Sequence, residues 1–372
     1  MIDFSSSLYL GLYHPSCELE SWGQLSTGKP AILQETPQAQ KVAHQLAKLQ
    51  GFSSGLVGTS TLHLFWDVFS LLPRNKFIIY MDEGVYPIAR WGVERGRARG
   101  IQTRVFPHNK VDRLYYLLQK DQVQKYLPLI VSDSWCTHCG KPFPLREYWQ
   151  LARQFGGKLL IDDTQTLGIL GKNKNKQMPF GYDGGGIVQW LNLPPKNLIS
   201  ICSLAKGFGV PLACLCGDKE TIGWFKKKSK VRVYTSPPSM APIQAAVNAL
   251  STNHVKGEYL RKRLYGNMLL LKQAFAKHGF QLSGGIFPFQ KLELKHLHHP
   301  VSQFLLLKKH HITTVPVKSP QGFQLGFFIR ADHQLSKIVW AAKQVSILIQ
   351  RKGFTHEKSH ILRNSQFGRT VG

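Results

Sequence analysis

The lysine in the segment Ser203-Leu-Ala-Lys206-Gly207-Phe-Gly209 is the side chain best placed for chemistry. It follows a short apolar run that predicts a strand, and the two glycines let the backbone approach a ligand closely. A lysine in a semi-enclosed basic pocket can lose its proton and act as a nucleophile, or hold a carbonyl cofactor as a Schiff base. The segment alone fits an exposed lysine at a turn equally well, since most lysines are surface residues.

A carboxylate, Asp162, ends the apolar run Lys158-Leu-Leu-Ile161. Such a run predicts a buried strand, and ligands of open α/β sheets bind at the carboxyl ends of strands. A carboxylate there can keep a ring nitrogen protonated, which a pyridine cofactor needs to act as an electron sink. The alternative is a helix-capping or loop aspartate.

Small hydroxyl residues open a predicted helix in Gly55-Leu-Val-Gly58-Thr59-Ser60-Thr61-Leu-His63. Free backbone N–H groups and the positive helix end make such a site suitable for a phosphate. Taken alone, an ordinary N-cap formed by Ser60 or Thr61 is the favoured interpretation, because such caps are the commonest helix starts.

The elements that must position these residues alternate between short β-rich runs and helical stretches over 38–242. This pattern predicts a three-layer α/β domain with a mainly parallel sheet. After Pro242 a long helical stretch, 243–278, leads into mixed elements that predict a smaller α+β domain over 243–350. Residues 1–37 form an N-terminal segment, and the basic, poorly patterned residues 351–372 predict a mobile tail. The predicted strands of the large domain are 54–57, 77–81, 101–106, 127–132, 158–161, 197–202 and 212–216.

Charge is the unusual feature of the composition. Lysine and arginine number 48 against 21 acidic residues, a net charge of +27. This balance favours acidic partners, such as nucleic acid, anionic membranes, phosphorylated ligands or an acidic carrier protein. Because no zinc-finger, homeodomain or RNA-recognition signature accompanies the basic clusters, nucleic-acid binding is not expected as the main function. A solvated basic surface is the favoured interpretation.

The sequence contains no run of eighteen apolar residues and no basic stretch before an apolar N-terminal run, so neither a membrane span nor a secretory signal is expected. Six cysteines in 372 residues do not make a disulfide scaffold, and we expect reduced thiols in a cytoplasmic protein. Cys136 and Cys139 form a lone C-x-x-C around His138. No further ligands follow at a finger-like spacing, so no metal is expected. Cys214 and Cys216 alternate as on one face of a buried strand.

Taken in order along 38–333, these segments resemble the α-oxoamine synthase subfamily (8-amino-7-oxononanoate synthase-like) of the fold type I pyridoxal-phosphate enzymes, in the class I/II aminotransferase superfamily. Residues 161–171 resemble its strand-end aspartate motif, and Ser203-x-x-Lys206-Gly-Phe-Gly resembles its Schiff-base lysine motif. Residues 106–109 and 132–145 also resemble the corresponding segments of the family. The ordered set is much more specific than any one motif, and it implies an aspartate aminotransferase-like fold.

The resemblance implies roles for individual residues around pyridoxal 5'-phosphate. Lys206 would hold the cofactor aldehyde and move the substrate proton, and Asp162 would pair with the pyridinium nitrogen. Tyr86 falls where a ring stacks on the cofactor, a position at which the family usually has histidine. The remaining implied contacts are hydroxyl groups: Ser60, Thr61 and Ser203 to the phosphate, Thr137 to the phenolic oxygen, and Thr235, Ser236 or Ser239 to the phosphate of a neighbouring subunit.

Two departures from the family pattern concern catalysis and the substrate. Gln165 stands where the family has a histidine that touches the phenolic oxygen; glutamine can donate a hydrogen bond but does not titrate near neutral pH. The family binds the amino-acid carboxylate through a late arginine, whereas this chain has Pro316 there. Lys318 or Arg330 are the candidate substitutes, although lysine gives a point charge and not a bidentate fork.

The resemblance therefore implies an enzyme, a homodimer, that joins an amino acid to an acyl thioester with loss of carbon dioxide. The positive charge would suit coenzyme A or an acidic acyl-carrier protein. An aminotransferase uses the same lysine and aspartate and is the first alternative. A non-catalytic homologue with a binding role is the second, because fold does not fix function.

Overall fold

The computed structural model of the protein describes residues 1–122, 126–293, 300–319 and 322–350. The predicted tail, 351–372, lies outside the described residues. The first part of the chain alternates strands and helices, as its sequence predicts. In chain order the elements are β1 (Ile2–Asp3), α1 (Pro37–Gln50), β2 (Ser54–Gly58), α2 (Thr61–Leu71), β3 (Phe77–Asp82), α3 (Pro87–Ala98), β4 (Thr103–Phe106), α4 (Val111–Asp121), β5 (Leu127–Asp133), β6 (Trp135–Cys136), β7 (Lys141–Pro142), α5 (Leu145–Gln154), β8 (Lys158–Asp162), α6 (Ile187–Trp190), β9 (Leu198–Ser203) and β10 (Ala213–Gly217).

The second part of the chain is mainly helical before its own strands begin. Its elements are α7 (Lys219–Lys228), α8 (Lys230–Tyr234), α9 (Met240–Ala276), β11 (Leu282–Ser283), β12 (Phe289–Glu293), α10 (Pro300–Lys309), β13 (Ile312–Thr313), β14 (Val315–Ser319), β15 (Gly322–Phe328) and α11 (Leu335–Gln350).

A seven-stranded sheet organises the described part of the chain, in the order β2-β10-β9-β8-β5-β3-β4. Strand β10 runs antiparallel to both neighbours, and the other pairs are parallel. The predicted α/β fold with a mainly parallel sheet is confirmed. Its central strands are buried along nearly their whole length, as expected when helices cover both faces.

The two faces of this sheet pack into two separate cores. Successive side chains of a strand point to opposite faces, so Ile130 and Leu159 lie on one side while Val131 and Leu160 lie on the other. The first side is covered by α1, α4, α5 and α9, and the second by α2, α3 and α7. The predicted three-layer arrangement is thus the one observed.

A four-stranded antiparallel sheet, β11-β12-β15-β14, follows the long helix α9. The N-terminus joins this region, because β1 pairs in parallel with β13 through Ile2 and Ile312. The short strands β1, β6, β7 and β13, the strand β14 and the helices α6, α7 and α8 were not predicted. The predicted domain boundaries at 37, 242 and 350 stay predictions.

Helix α9 is 37 residues long and carries its charged residues from Lys256 onwards. Among the helices of the described residues, none combines the length and the apolar character needed to cross a bilayer.

One side chain of α9, Arg261, fixes the turn that follows β8. Arg261 is only 1% exposed. Its guanidinium donates to the carbonyl oxygen of Gly168 at 2.9 Å, to Asn253 Oδ1 at 2.7 Å and to the Glu258 carboxylate at 3.0 Å. Gly168 has φ of +85°, which favours glycine. A single buried cation therefore joins this glycine turn to the long helix.

We expect Arg261→Ala to lower the free energy of unfolding by about 2 kcal/mol or more, because the Gly168 carbonyl and the Asn253 oxygen would stay buried without a donor. Lys262→Ala, on the exposed side of the same helix, should change it by less than about 0.5 kcal/mol. Denaturant unfolding followed by circular dichroism measures both. Equal stabilities of the two variants would contradict this account of Arg261.

Candidate active site

The carboxyl ends of five parallel strands meet at one edge of the large sheet. Strands β2, β3, β5, β8 and β9 all point the same way, because β10 reverses the direction twice between β2 and β9. In register, Asp133 pairs with Asp162 across β5 and β8, and Asp162 pairs with Ile201 on β9. This edge is where ligands of open α/β sheets bind.

Lys206 lies three residues beyond the end of β9 and is half-buried. Its Nζ stands 5.8 Å from the centre of the Tyr86 ring, which is itself exposed at the start of α3. Burial lowers the pKa of Lys206, while the charges of Asp162 and Asp133 raise it. The structure therefore brings together the predicted lysine, ring and carboxylate, and places the lysine in a setting that favours loss of its proton.

Asp162 is buried at the end of β8. One carboxylate oxygen, Oδ1, accepts a hydrogen bond from the N–H of Thr164 at 3.0 Å. Burial raises the pKa of Asp162, and hydrogen bonds from Thr164 together with the charge of Lys206 lower it. A cationic ring nitrogen placed against this carboxylate would relieve the cost of its burial.

A second buried carboxylate, Asp133, was missed by the sequence analysis. Its Oδ2 accepts the backbone N–H of Tyr86 at 2.9 Å, and its Oδ1 is buried with no hydrogen-bond partner among the described residues. Burial and then the charge of Asp162 raise its pKa well above the ordinary range. The strand-end rule that selected Asp162 applies equally to Asp133, which directly follows the predicted strand 127–132, but it was not applied there.

The predicted anion site lies at the start of α2. Ser60 is the N-cap, and its Oγ accepts the N–H of His63 at 3.3 Å. His63 Nδ1 lies 2.8 Å from the same Oγ and 3.1 Å from Thr59 Oγ1. The N-cap interpretation is confirmed, because Ser60 caps the helix. The phosphate site stays a prediction, to which the N–H groups of Thr61 and Leu62 in the first turn are suited, since they have no partner within the helix.

Gln165 lies in the loop after β8, and Ser203 is the last residue of β9. Gln165 Oε1 accepts the hydroxyl of Tyr9 at 3.1 Å. The backbone N–H of Ser203 donates to Thr164 Oγ1 at 3.0 Å, which ties the end of β9 to the loop after β8. Tyr9 is a contact that no sequence signal indicated, because it comes from the N-terminal segment.

The remaining hydroxyl candidates lie on two other segments. Thr137 is half-buried in the turn between β6 and β7. Thr235 and Ser236 line a cavity together with Thr59 and His63 of the same chain, and Thr235 Oγ1 donates to the Val231 carbonyl at 2.7 Å. Ser239, the N-cap of α9, makes no side-chain capping bond.

The two candidate cations for the substrate carboxylate differ in setting. Lys318 is exposed on β14, opposite Phe323. Arg330 follows β15 and forms a fork with Asp332, at 2.9 and 3.0 Å. The next residue, Ala331, donates its N–H to the carbonyl of Tyr9. Arg330 is therefore one residue away from the segment that touches Gln165.

Comparison with known proteins supports the resemblance. No family model matches the chain. An 8-amino-7-oxononanoate synthase from Coprothermobacter proteolyticus is 24% identical over 295 residues, which is 77% of this chain and 72% of that protein. One from Thermosipho melanesiensis is 32% identical over 152 residues, 41% of this chain and 36% of that protein. Relatives from Trichodesmium erythraeum and Gloeobacter violaceus are 26% identical and are covered over 66% and 63% of their length, so the chain spans about two thirds of each.

Solved structures share the fold at low sequence identity. Serine palmitoyltransferase from S. paucimobilis, with a bound PLP–myriocin aldimine, has a TM-score of 0.78 at 16% identity, with 94% of this chain and 88% of that chain covered. The 8-amino-7-oxononanoate synthase of Francisella tularensis has a TM-score of 0.70 at 18% identity, with 94% and 97% covered. The predicted resemblance is thus confirmed: the chain is related in sequence to proteins named 8-amino-7-oxononanoate synthase and has the fold of serine palmitoyltransferase.

Proposed function

We propose that this protein is a pyridoxal-phosphate-dependent enzyme that joins an amino acid to an acyl thioester with loss of carbon dioxide, giving an α-oxoamine. The observation that carries the proposal is the half-buried Lys206 facing Tyr86, with the buried carboxylates Asp162 and Asp133 beside it. The related 8-amino-7-oxononanoate synthases support the choice of reaction over amino transfer.

The residues present fit the cofactor. Asp133 Oδ1 is a buried acceptor that no described group satisfies, and Asp162 is a buried carboxylate beside a cation. Asp162 would pair with the ring nitrogen, and Tyr86 would stack on the ring. The first turn of α2, after Ser60, would receive the phosphate, with the Ser203 hydroxyl nearby. Thr137 and Gln165 would approach the phenolic oxygen.

When bound, pyridoxal phosphate supplies an electron sink for a carbanion. The chain supplies the rest. Lys206 takes up and returns the substrate proton at Nζ, which its lowered pKa assists. Asp162 keeps the positive charge of the ring nitrogen stable in a buried setting, and Gln165 donates or accepts a hydrogen bond without changing its charge.

The acyl donor is assigned from charge. A net charge of +27 attracts anions, and both coenzyme A and acyl-carrier proteins are strongly anionic. We infer that one of these two carries the acyl group, and that association weakens as salt is raised.

We expect Lys206→Ala to lose both activity and the covalently held cofactor. The parent protein should show a visible absorption band, and borohydride should fix the cofactor to Lys206, as detected by peptide mass spectrometry. Lys219→Ala, an exposed lysine at the start of α7, should behave as the parent. Turnover is measured as carbon dioxide and free thiol released from glycine, alanine or serine with acyl thioesters. Amino transfer to a 2-oxo acid in place of thiol release would contradict the proposed reaction, and a parent that never takes up the cofactor would contradict the whole proposal.

We infer that Arg330 replaces the family's carboxylate-binding arginine, because it alone of the two candidates offers a fork and lies beside the Tyr9 segment. Arg330→Ala should weaken amino-acid binding about tenfold or more, since a charge-assisted hydrogen bond contributes about 1.5–3 kcal/mol. Lys318→Ala should leave binding unchanged. Spectral titration of the cofactor band with amino acids measures the affinity of both variants. Without substrate, the band should be as intense in each variant as in the parent protein. If Lys318→Ala is the weaker binder, the assignment of Arg330 is wrong.

We also infer a homodimer in which Thr235, Ser236 or Ser239 completes the phosphate site of the other subunit. In support, the preceding Tyr234 is 83% exposed, a large apolar surface beside the cavity that Thr235 and Ser236 line. Sedimentation should show a dimer, and Tyr234→Asp should shift it towards monomer and weaken cofactor retention together. A fully loaded monomer would contradict the inference.

A further inference from the structure

The structure brings a histidine to the C-x-x-C pair. The ligand atoms of His108, Cys136 and Cys139 all lie within 4.8 Å of one another. The absence of finger-like spacing led us to expect no metal, but the third ligand comes from upstream. His108 follows β4 and the cysteines follow β5, and both strands flank β3 in the sheet.

The separation of two of the ligand atoms matches the value expected around a bound zinc ion. His108 Nε2 lies 3.5 Å from Cys139 Sγ. Zinc holds imidazole nitrogen at about 2.0–2.1 Å and thiolate sulfur at about 2.3 Å, so at the tetrahedral angle the two ligand atoms stand about 3.5 Å apart. The backbone N–H of Cys139 also donates to Cys136 Sγ at 3.3 Å, which holds the two sulfur atoms on one side of the turn.

A carboxylate orients the histidine for this role. Asp82 is fully buried, and its Oδ1 lies 2.8 Å from His108 Nδ1. In the tautomer with its proton on Nδ1, the imidazole donates to this carboxylate and can bind a metal ion through Nε2. Metal-binding histidines are usually held by a carboxylate or carbonyl in this way.

A polar group stands where a fourth ligand is needed. The Asn109 side-chain amide lies 3.0 Å from His108 Nε2 and 3.9 Å from Cys139 Sγ. Its Oδ1 is buried without a hydrogen-bond partner in the described part of the chain. Rotating the amide by half a turn would direct that oxygen at the three ligands.

The hairpin that carries the cysteines is held in place from the second sheet. Lys291, on β12, donates to the carbonyl oxygen of His138. Gly140, with φ of +73°, packs so closely on Gly284 that a Cβ atom at 140 would lie 2.8 Å from its Cα. The ligands are therefore presented by a fixed turn.

We propose that His108, Cys136 and Cys139 form a binding site for a soft divalent ion of the zinc class. Nitrogen with two thiolates is a donor set that zinc prefers. The ion would fix the turn between β6 and β7. That turn also carries Thr137, so on the function proposed above, the site would position a hydroxyl at the cofactor.

The test is metal binding by the full-length protein, purified under reducing conditions and dialysed against dilute zinc chloride. Elemental analysis should find one zinc per chain. Cys139→Ser should weaken zinc binding at least about 100-fold, as should His108→Asn, because losing even an outer partner of a ligand costs 10- to 100-fold. The matched controls Cys17→Ser and His44→Asn, both exposed and remote in sequence, should bind zinc as the parent does. Circular dichroism spectra verify that each variant is folded.

Two further measurements separate the alternatives. Cobalt in place of zinc should give thiolate-to-metal absorption that Cys139→Ser lacks. A parent that binds no zinc, or whose two cysteines are recovered as a disulfide after purification in reductant, would overturn the proposal. Lys206→Ala should still bind one zinc, so a failure of the cofactor proposal would leave the zinc proposal standing. A parent protein that binds the cofactor but no zinc would overturn the zinc proposal alone.

Discussion

Burying carboxylates at one edge of a parallel sheet is the constraint on which the site depends. Asp133 and Asp162 pair in register, so their charges lie side by side in a medium that solvates them poorly. Burial raises the pKa of both carboxyl groups, the charge of Asp162 raises that of Asp133 further, and the charge of the nearby Lys206 lowers both. An arrangement of two acids and one base in which Asp133 Oδ1 has no partner among the described residues is unfavourable for folding alone. On the function proposed above, a bound cationic ring would offset that cost at Asp162.

Hydrogen bonds from distant parts of the chain hold the segments around these carboxylates in place. Arg261 holds the Gly168 turn, Thr164 joins the loop after β8 to the end of β9, and Tyr9 reaches Gln165 from the N-terminal segment. These contacts come from three parts of the chain that are far apart in sequence. The loop that follows Asp162 and carries Gln165 is therefore held by the protein itself, which is what precise positioning of reacting groups requires.

The sequence could predict what depends on local pattern. Apolar runs located the strands of the large sheet to within about two residues, and motif order located Lys206 and Asp162. It failed where tertiary packing decides. Strand β14 contains Pro316, which argues against a central strand, but β14 is an edge strand, where proline is tolerated. Helix α7 was hidden by its run of lysines, although Asp218, whose side chain accepts the N–H of Thr221, gave a usable capping signal. His108 could not be joined to Cys136 from spacing, because only the order β5-β3-β4 makes them neighbours.

The buried carboxylate of Asp82 supports both His108, beside Cys136 and Cys139, and the turn that presents Tyr86. Its Oδ1 accepts from His108 and from the N–H of Gly84, and its Oδ2 accepts from Tyr148 and from the N–H of Asn109. Burial raises the pKa of Asp82, but these hydrogen bonds outweigh burial and lower the pKa below its ordinary value, so the carboxylate stays charged. Gly84 lies two residues before Tyr86, and a Cβ atom there would meet the His108 ring at 2.3 Å. The turn that presents the Tyr86 ring is thus packed directly against a proposed metal ligand, and a shift of that histidine would have to move the turn with it.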